Sequence, residues 1–343
     1  MRLPEFIKRW IDRALARRGF ERIPSRLVYP WQRSPVELPN HADTTLPEGA
    51  GEILRADHPR LVELTRAYSE LDSPLARDPV WTEALLAGAD LRHFRGDNPY
   101  VWQLRGRNLN ELGYALSYYC VRAIEAIQRS GLLDRLDEDG LFGVHTFAID
   151  GRRVSRDLLD SVLELAFLDR HLGLQGPEVR IVLDIGAGYG RLAHRAVTAF
   201  PKTVRFLCAD AIATSTFLSE FYLDFRGVAD LARVLPLHEL ESAVVAGRVD
   251  VAVNIHSFSE CTPDAIDAWL GFLARKRVGH LMVVPNRVAA DGVTMLTNAG
   301  HDFSRIVRQH GYAPVANEPK FPDPVVQEYG ISPARYLLFR FDA

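Results

Sequence analysis

The residues best suited to chemistry begin in "VRIVLDIGAGYGRLAHRAV", Val179 to Val197, where an apolar run meets Asp184 and then Gly186, Gly188 and Gly190 at alternating positions. Glycines at that spacing let a backbone turn sharply and approach a ligand with no β-carbon in the way. The helix that follows offers unpaired N–H groups. The pattern predicts a strand, a tight turn and a helix that together hold something small and polar. Single residues exclude two common occupants. A dinucleotide fingerprint needs Gly or Ala three positions after the second glycine, where helix and strand cross closely, and Arg191 stands there. A Walker phosphate loop needs Gly-Lys-Ser/Thr, which does not follow.

A second constellation is "LRHFRGDNPYVWQLRG", where Phe94, Tyr100 and Trp102 mingle with Arg95, Asp97, Asn98 and Gln103. Aromatic faces beside hydrogen-bonding side chains suit a sugar ring, whose C–H faces stack while its hydroxyls need partners. Packing of a helical cap on its core accounts for the same residues. On the first reading Arg95, Tyr100 and Trp102 line an acceptor site.

These residues must be positioned by a chain of 343 residues, 47% hydrophobic, with a formal net charge of -3. Such a chain buries a substantial core, and its charge gives no global reason to bind nucleic acid. No run approaches the roughly 18 apolar residues of a membrane span, and the N-terminus lacks a secretory pattern, so the expected location is the cytoplasm. Cys120, Cys208 and Cys261 lack paired spacing and are expected as free thiols.

Three regions emerge. Residues 1–55 hold a basic amphipathic helix, with Phe6, Ile7, Trp10, Ile11 and Leu15 on one side, and then an irregular connector. That helix suits packing on its own protein, a subunit of a homo-oligomer, or an anionic membrane surface. Residues 56–174 show helical spacing and are expected to cap the acceptor. Ser155 is placed to cap "SRDLLDSVLELAFLDRHLGL", with Asp157 in its first turn. From 175 to 343 short β-rich runs alternate with helices, which predicts an α/β fold with a mainly parallel sheet covered on both faces. Ligands of such sheets lie beyond the carboxyl ends of the strands, where strand order reverses.

Asp184 followed by alternating glycines resembles the first motif of class I S-adenosylmethionine-dependent methyltransferases. The resemblance implies a Rossmann-like seven-stranded sheet, with S-adenosylmethionine as cofactor. Its methionine moiety would be held by Asp184 and the backbone of Gly186, Gly188 and Gly190, with Asn254 as a further cofactor-binding residue. Asp210 ends the second strand, 26 positions after Asp184, where an acid accepts both ribose hydroxyls. The final "ARYLLFRFD" and the segment before it resemble the strand hairpin that closes this family's sheet. More closely, "SRDLLDSVLELAFL", "LDIGAGYGRLAHR", "SEFYL", "NIHSFSE" and "NAGHDFSRIVRQHGY" are similar to a bacterial sugar O-methyltransferase family. That resemblance implies transfer of a methyl group to a hydroxyl of a sugar or glycosylated small molecule.

The end of the fourth strand borders the transferred methyl in this fold, which makes His256 the candidate general base and Glu260 its candidate orienting partner. Thr262-Pro263-Asp264 is also a strong helix start, so Glu260 is equally explained as an acid before a helix N-terminus. His301, beside Asp302, and Tyr329, beside Glu328, are candidate acceptor contacts. No metal site is predicted, since the fourth and fifth strands end in Asn-Ile-His and Pro-Asn-Arg rather than carboxylates. Two rivals stay open at this level: methyl transfer to a nitrogen or carboxylate of a non-sugar metabolite, and a non-catalytic scaffold docking through the N-terminal helix.

Overall fold

The computed structural model describes residues 5–18, 46–76, 88–96 and 111–342. Helix α1, Glu5–Ala16, forms where the apolar stripe predicts it. Trp10 on it is 70% exposed, while Ile7, Ile11 and Leu15 are half-buried. Helix α2, Pro59–Ser69, begins with a proline at a position whose N–H would be unpaired anyway. Its Tyr68 hydroxyl accepts the Leu237 N–H at 2.8 Å and shares a 2.8 Å hydrogen bond with the Thr216 hydroxyl. Arg60 grips both oxygens of Glu220 at 2.6 and 2.9 Å. Those contacts fasten α2 to the C-terminal half.

Helix α3, Glu111–Gln128, is followed by a hairpin of β1, Thr146–Ile149, and β2, Arg152–Ser155, inside a region whose spacing is mostly helical. The reason is the dipeptide Asp150-Gly151, whose φ values of 52° and 73° supply the two left-handed residues of a two-residue hairpin turn. Strand β2 runs directly into helix α4, Arg156–Leu172. The Ser155 hydroxyl accepts the Leu158 N–H at 3.0 Å, as its capping signal predicts, and Gly173 ends the helix in the left-handed region.

The remainder alternates strand and helix: β3 Arg180–Ile185, α5 Arg191–Ala199, β4 Val204–Ala209, α6 Ala213–Phe225, β5 Ala232–Val234, β6 Val251–Ile255, α7 Pro263–Arg275, β7 His280–Val284, the small hairpin β8 Arg287–Val288 and β9 Met295–Leu296, α8 Ser304–Gln309, β10 Tyr312–Pro319, α9 Pro324–Tyr329 and β11 Arg335–Phe341. Seven strands form one sheet in the order β10-β11-β7-β6-β3-β4-β5, parallel except for β11, which runs antiparallel to both neighbours. This is the Rossmann-like seven-stranded sheet of class I methyltransferases, with a helical N-terminal portion packed on it. Strand β5 is three residues long at the sheet's edge, too short to leave an apolar run in the sequence.

Val182, Leu183, Val251 to Val253 and Leu281 to Val284 are buried on both faces, as parallel strands between helices must be. One cluster of buried apolar side chains joins Leu64 of α2, Tyr114 of α3 and Leu158 of α4 to these strands. Each large aliphatic side chain so buried contributes about 1.5–3 kcal/mol. The N-terminal helices and the sheet therefore share a core.

Candidate functional site

Successive strands after β3 first extend the sheet through β4 and β5, then return to its other side with β6, so the crevice at the carboxyl end of β3 is the point where strand order reverses. Registry pairs Ile185 with Ala209 and Asp184 with Val253, which brings Asp184, Asp210 and Asn254 to one edge of the sheet. The turn closes through hydrogen bonds from Gly186 and Ala187 N–H to the Ala209 carbonyl at 2.9 and 3.2 Å. Its glycines differ in what they face. A β-carbon on Gly186 would collide with Ser257, and one on Gly190 would meet the Ser219 Oγ at 2.9 Å and Leu223 at 3.2 Å. One on Gly188 would meet nothing within 4 Å. Protein crowds the two ends of the turn, while its middle opens onto free space.

Asp210 accepts the Gly188 N–H at 3.0 Å and the Ile212 N–H at 2.9 Å. Burial pushes its carboxyl up to about 7 against those two hydrogen bonds, with the charge of Glu260 adding to the rise. Burial also pushes Asp184 up to about 7, Arg191 opposing and Glu164 reinforcing. The turn is thus flanked by two acids that burial holds well above the usual carboxylate range.

The Asn254 side chain, expected at the cofactor, is hydrogen-bonded within the protein. Its amide donates to the Ile185 carbonyl at 3.0 Å and to the Ser257 hydroxyl at 2.8 Å, and its oxygen accepts the Phe258 N–H at 2.9 Å. Fully buried, it ties the end of β3 to the turn after β6.

His256 stands at the end of β6 with a φ of 69°, an unusual backbone conformation for a residue with a β-carbon. Its N–H donates to the Val284 carbonyl at 2.8 Å. Its Nδ1 is buried with no hydrogen-bond partner. Burial first, and then the Arg156 charge, bring the imidazole down to about 3; Arg191 and Lys320 act in the same direction and Asp160 against. The ring is neutral at ordinary pH. The charge of Glu260 bears on Asp210 and on Cys261. Ser259, which sequence reasoning passed over, holds this edge together. Its N–H donates to the His256 carbonyl at 3.0 Å, its hydroxyl accepts the Asn286 N–H at 2.9 Å, and its carbonyl accepts the Asn298 N–H at 2.6 Å.

Two buried ionic groups frame the site. Along α4, Arg156, Asp160 and Glu164 repeat every four residues and so share a face. Arg156 pairs with Asp160 at 3.1 Å, and Arg191 grips Glu164 at 2.8 and 3.1 Å. Lys320, at the end of β10, reaches Asp160 and the carbonyls of Ile331 and Ser332. Arg191, the residue that rules out a dinucleotide, thus locks the turn to α4.

The second group contains Arg95. Instead of lining an acceptor site, it is fully buried, with its guanidinium taken up by Glu138 at 2.7 Å and by Asp157 and Asp139 at 3.4 Å each. Phe94 beside it stacks on Phe142 at 4.8 Å. The packing alternative describes these two residues. Tyr100 and Trp102 lie outside the described residues. His301 is exposed, with its N–H on the Thr297 hydroxyl at 3.0 Å. Asp302 accepts the Ser304 N–H at 2.9 Å at the start of α8. Tyr329 is half-buried at the end of α9, which packs on α3. Among the described residues no group of three or more His, Cys, Asp or Glu is arranged to hold a metal ion, and no helix is long and apolar enough to cross a membrane.

No protein-family model matches the chain, and no curated protein matches it. Solved structures similar to it include an S-adenosylmethionine-dependent methyltransferase from Aquifex aeolicus, 13% identical over 51% of this chain and 89% of that one, with a TM-score of 0.38. Another is the magnesium protoporphyrin IX methyltransferase of Synechocystis PCC 6803, 12% identical over 65% of this chain and 97% of that one, with a TM-score of 0.39. A third is the geranyl diphosphate C-methyltransferase of Streptomyces coelicolor A3(2), 16% identical over 54% and 81%, with a TM-score of 0.39. At these values the likenesses add nothing to the strand order already described.

Proposed function

We propose that the protein transfers a methyl group from S-adenosylmethionine to a hydroxyl of a sugar or glycosylated small molecule. The observation that carries the donor reading is the turn itself. Gly188 faces open space, its N–H meets the carboxylate of Asp210, and Asp184 lies behind it at the strand-order reversal. These groups fit a donor with one zwitterionic end and a ribose. Exposed backbone suits the first, and the paired oxygens of a strand-end carboxylate suit two vicinal hydroxyls. When bound, S-adenosylmethionine supplies an electrophilic methyl carbon on a sulfonium.

The chain's own contribution is placement and proton handling. Asn254 and Ser259 fix the backbone around His256, and much of the rate of an in-line displacement comes from such alignment. The neutral imidazole always has a lone pair to take a hydroxyl proton, although its low pKa makes it a weak base. The sugar half of the reading rests on the sequence resemblance.

The same low pKa favours a second reading, methyl transfer to a carboxylate, which is already ionised and needs no base. Calorimetry with S-adenosylhomocysteine tests the donor: the wild type should bind and Asp210→Ala should lose most of the affinity, while absence of wild-type binding removes the assignment. Incubation with an isotopically labelled methyl donor then tests the acceptor. A sugar methyl ether keeps its label in alkali, whereas a methyl ester releases it as methanol.

A further inference from the structure

We propose that Arg95 is a positioning residue for the methyl donor, acting through Asp157 and Tyr189 to hold the glycine turn in shape. The proposal deepens the donor reading and rests on it. Tyr189 is the large side chain of the turn, and it is 4% exposed. Its ring lies 5.2 Å from that of Phe94 and 5.0 Å from that of Tyr222, and the Arg95 guanidinium stands 6.0 Å from its centre. Its hydroxyl donates to Asp157, in the first turn of α4, and Asp157 is also the partner of Arg95 Nε at 3.4 Å. Arg95 continues to Glu138, which accepts as well from Arg195 Nη2 at 2.8 Å and from the Ser155 hydroxyl. The turn, through Tyr189, and the helix after it, through Arg195, therefore hang on two carboxylates that Arg95 bridges.

The physical need is clear. A loop with three glycines is entropically costly to hold in one conformation. A buried carboxylate is tolerated only when paired and hydrogen-bonded. Against the cost of burial, Arg95 and Arg195 hold Glu138 well below the usual carboxylate range, so the group stays ionised. Arg95 belongs to the segment 88–96, outside the sheet domain in sequence, and is separated from Asp157 by 62 positions. Any ligand that needs the turn in this shape must, by reciprocity, stabilise the seat of Arg95.

Tyr189→Phe tests this mildly, removing one hydroxyl and no volume. Tyr119→Phe is the control, since the Tyr119 hydroxyl makes a comparable 2.8 Å bond to Asp150 on the exposed surface. Hydrogen exchange of the full chain, S-adenosylhomocysteine affinity and the melting midpoint are read on each. Tyr189→Phe should speed exchange over 186–190 and weaken affinity about five- to tenfold, and Tyr119→Phe should do neither. In the wild type the ligand should slow exchange over 88–96, an effect lost in Tyr189→Phe, and Arg95→Lys should change affinity in the same direction. Wild-type affinity in Tyr189→Phe overturns the proposal even if the midpoint falls. If the wild type fails to bind the ligand, the donor reading falls. Exchange then decides alone: faster exchange over 186–190 in Tyr189→Phe keeps the link from Tyr189 to the turn, and unchanged exchange removes it.

Discussion

Gly186 and Ser257 compete for one small space: a β-carbon at 186 would stand 2.5 Å from the Ser257 Cβ and closer still to its Oγ. The contact joins the turn after β3 to the turn after β6, the two loops on which the proposed site rests. Gly186→Ala should lower stability by about 1–3 kcal/mol through crowding, with the strain of a positive φ in addition. Gly186→Ala with Ser257→Gly should recover the crowding part. Gly188→Ala meets open space and carries only the strain of its positive φ of 58°, so its midpoint should fall by less than that of Gly186→Ala while its ligand affinity also drops. Thermal unfolding and S-adenosylhomocysteine titration separate the two behaviours.

Asp184 and Asp210 are both raised to about 7, above their unfolded values. Their contribution to folding is complete below the ordinary carboxylate range and is lost as pH rises through 7. Ligand binding has the opposite sense. A carboxylate that accepts two hydroxyls must be ionised, so affinity for S-adenosylhomocysteine should rise from pH 6 to pH 8, with proton release on binding. Calorimetry at pH 6.5 in two buffers of different ionisation enthalpy measures that proton. Asp210→Asn should bind weakly and with a flatter pH profile; an unchanged profile would argue against this account.

His256 and His194 are each lowered to about 3, chiefly by burial. Both sit below the unfolded value of about 6.5, so their contribution to stability is full above that pH and is lost as pH falls toward 3. The acid-side decline of the melting midpoint between pH 6 and pH 4 should become shallower in His256→Gln. Turnover should show no imidazole titration between pH 5 and pH 8. A limb near pH 6.5 that His256→Gln abolishes would mean the ring is more basic than its surroundings dictate.

Lys320 is buried against Asp160, which also serves Arg156. Lys320→Met should cost about 3–5 kcal/mol, because it strips a buried carboxylate of one of its cations. Arg340→Met breaks the exposed pair with Asp342 and should leave the melting midpoint essentially where it was. Denaturant unfolding of the two variants side by side checks the contrast.

The features read correctly from the chain are those whose causes lie within a few residues. Strand β3, its glycine turn and α5 follow from an apolar run, alternating glycines and an amphipathic helix. The caps at Ser155 and Thr262 likewise join a hydroxyl to an N–H three positions on. The hairpin at Asp150-Gly151 is not among them: the dipeptide is itself a turn signal, but the mostly helical spacing of the region masks it.

The partners of Arg95 and Asn254 were decided only by the tertiary structure. An arginine among aromatics reads the same whether it faces a sugar or a carboxylate, and Arg95 meets Glu138, 43 positions on, only after the chain folds back. Asn254 finds its acceptor on Ile185, 69 positions earlier, once β3 and β6 lie side by side. The sequence alone determined which segments alternate and where the glycine turn sits, because backbone conformation and hydrophobic period are local. Which polar groups remain available to a ligand is settled by burial, and burial depends on partners brought together from distant parts of the chain.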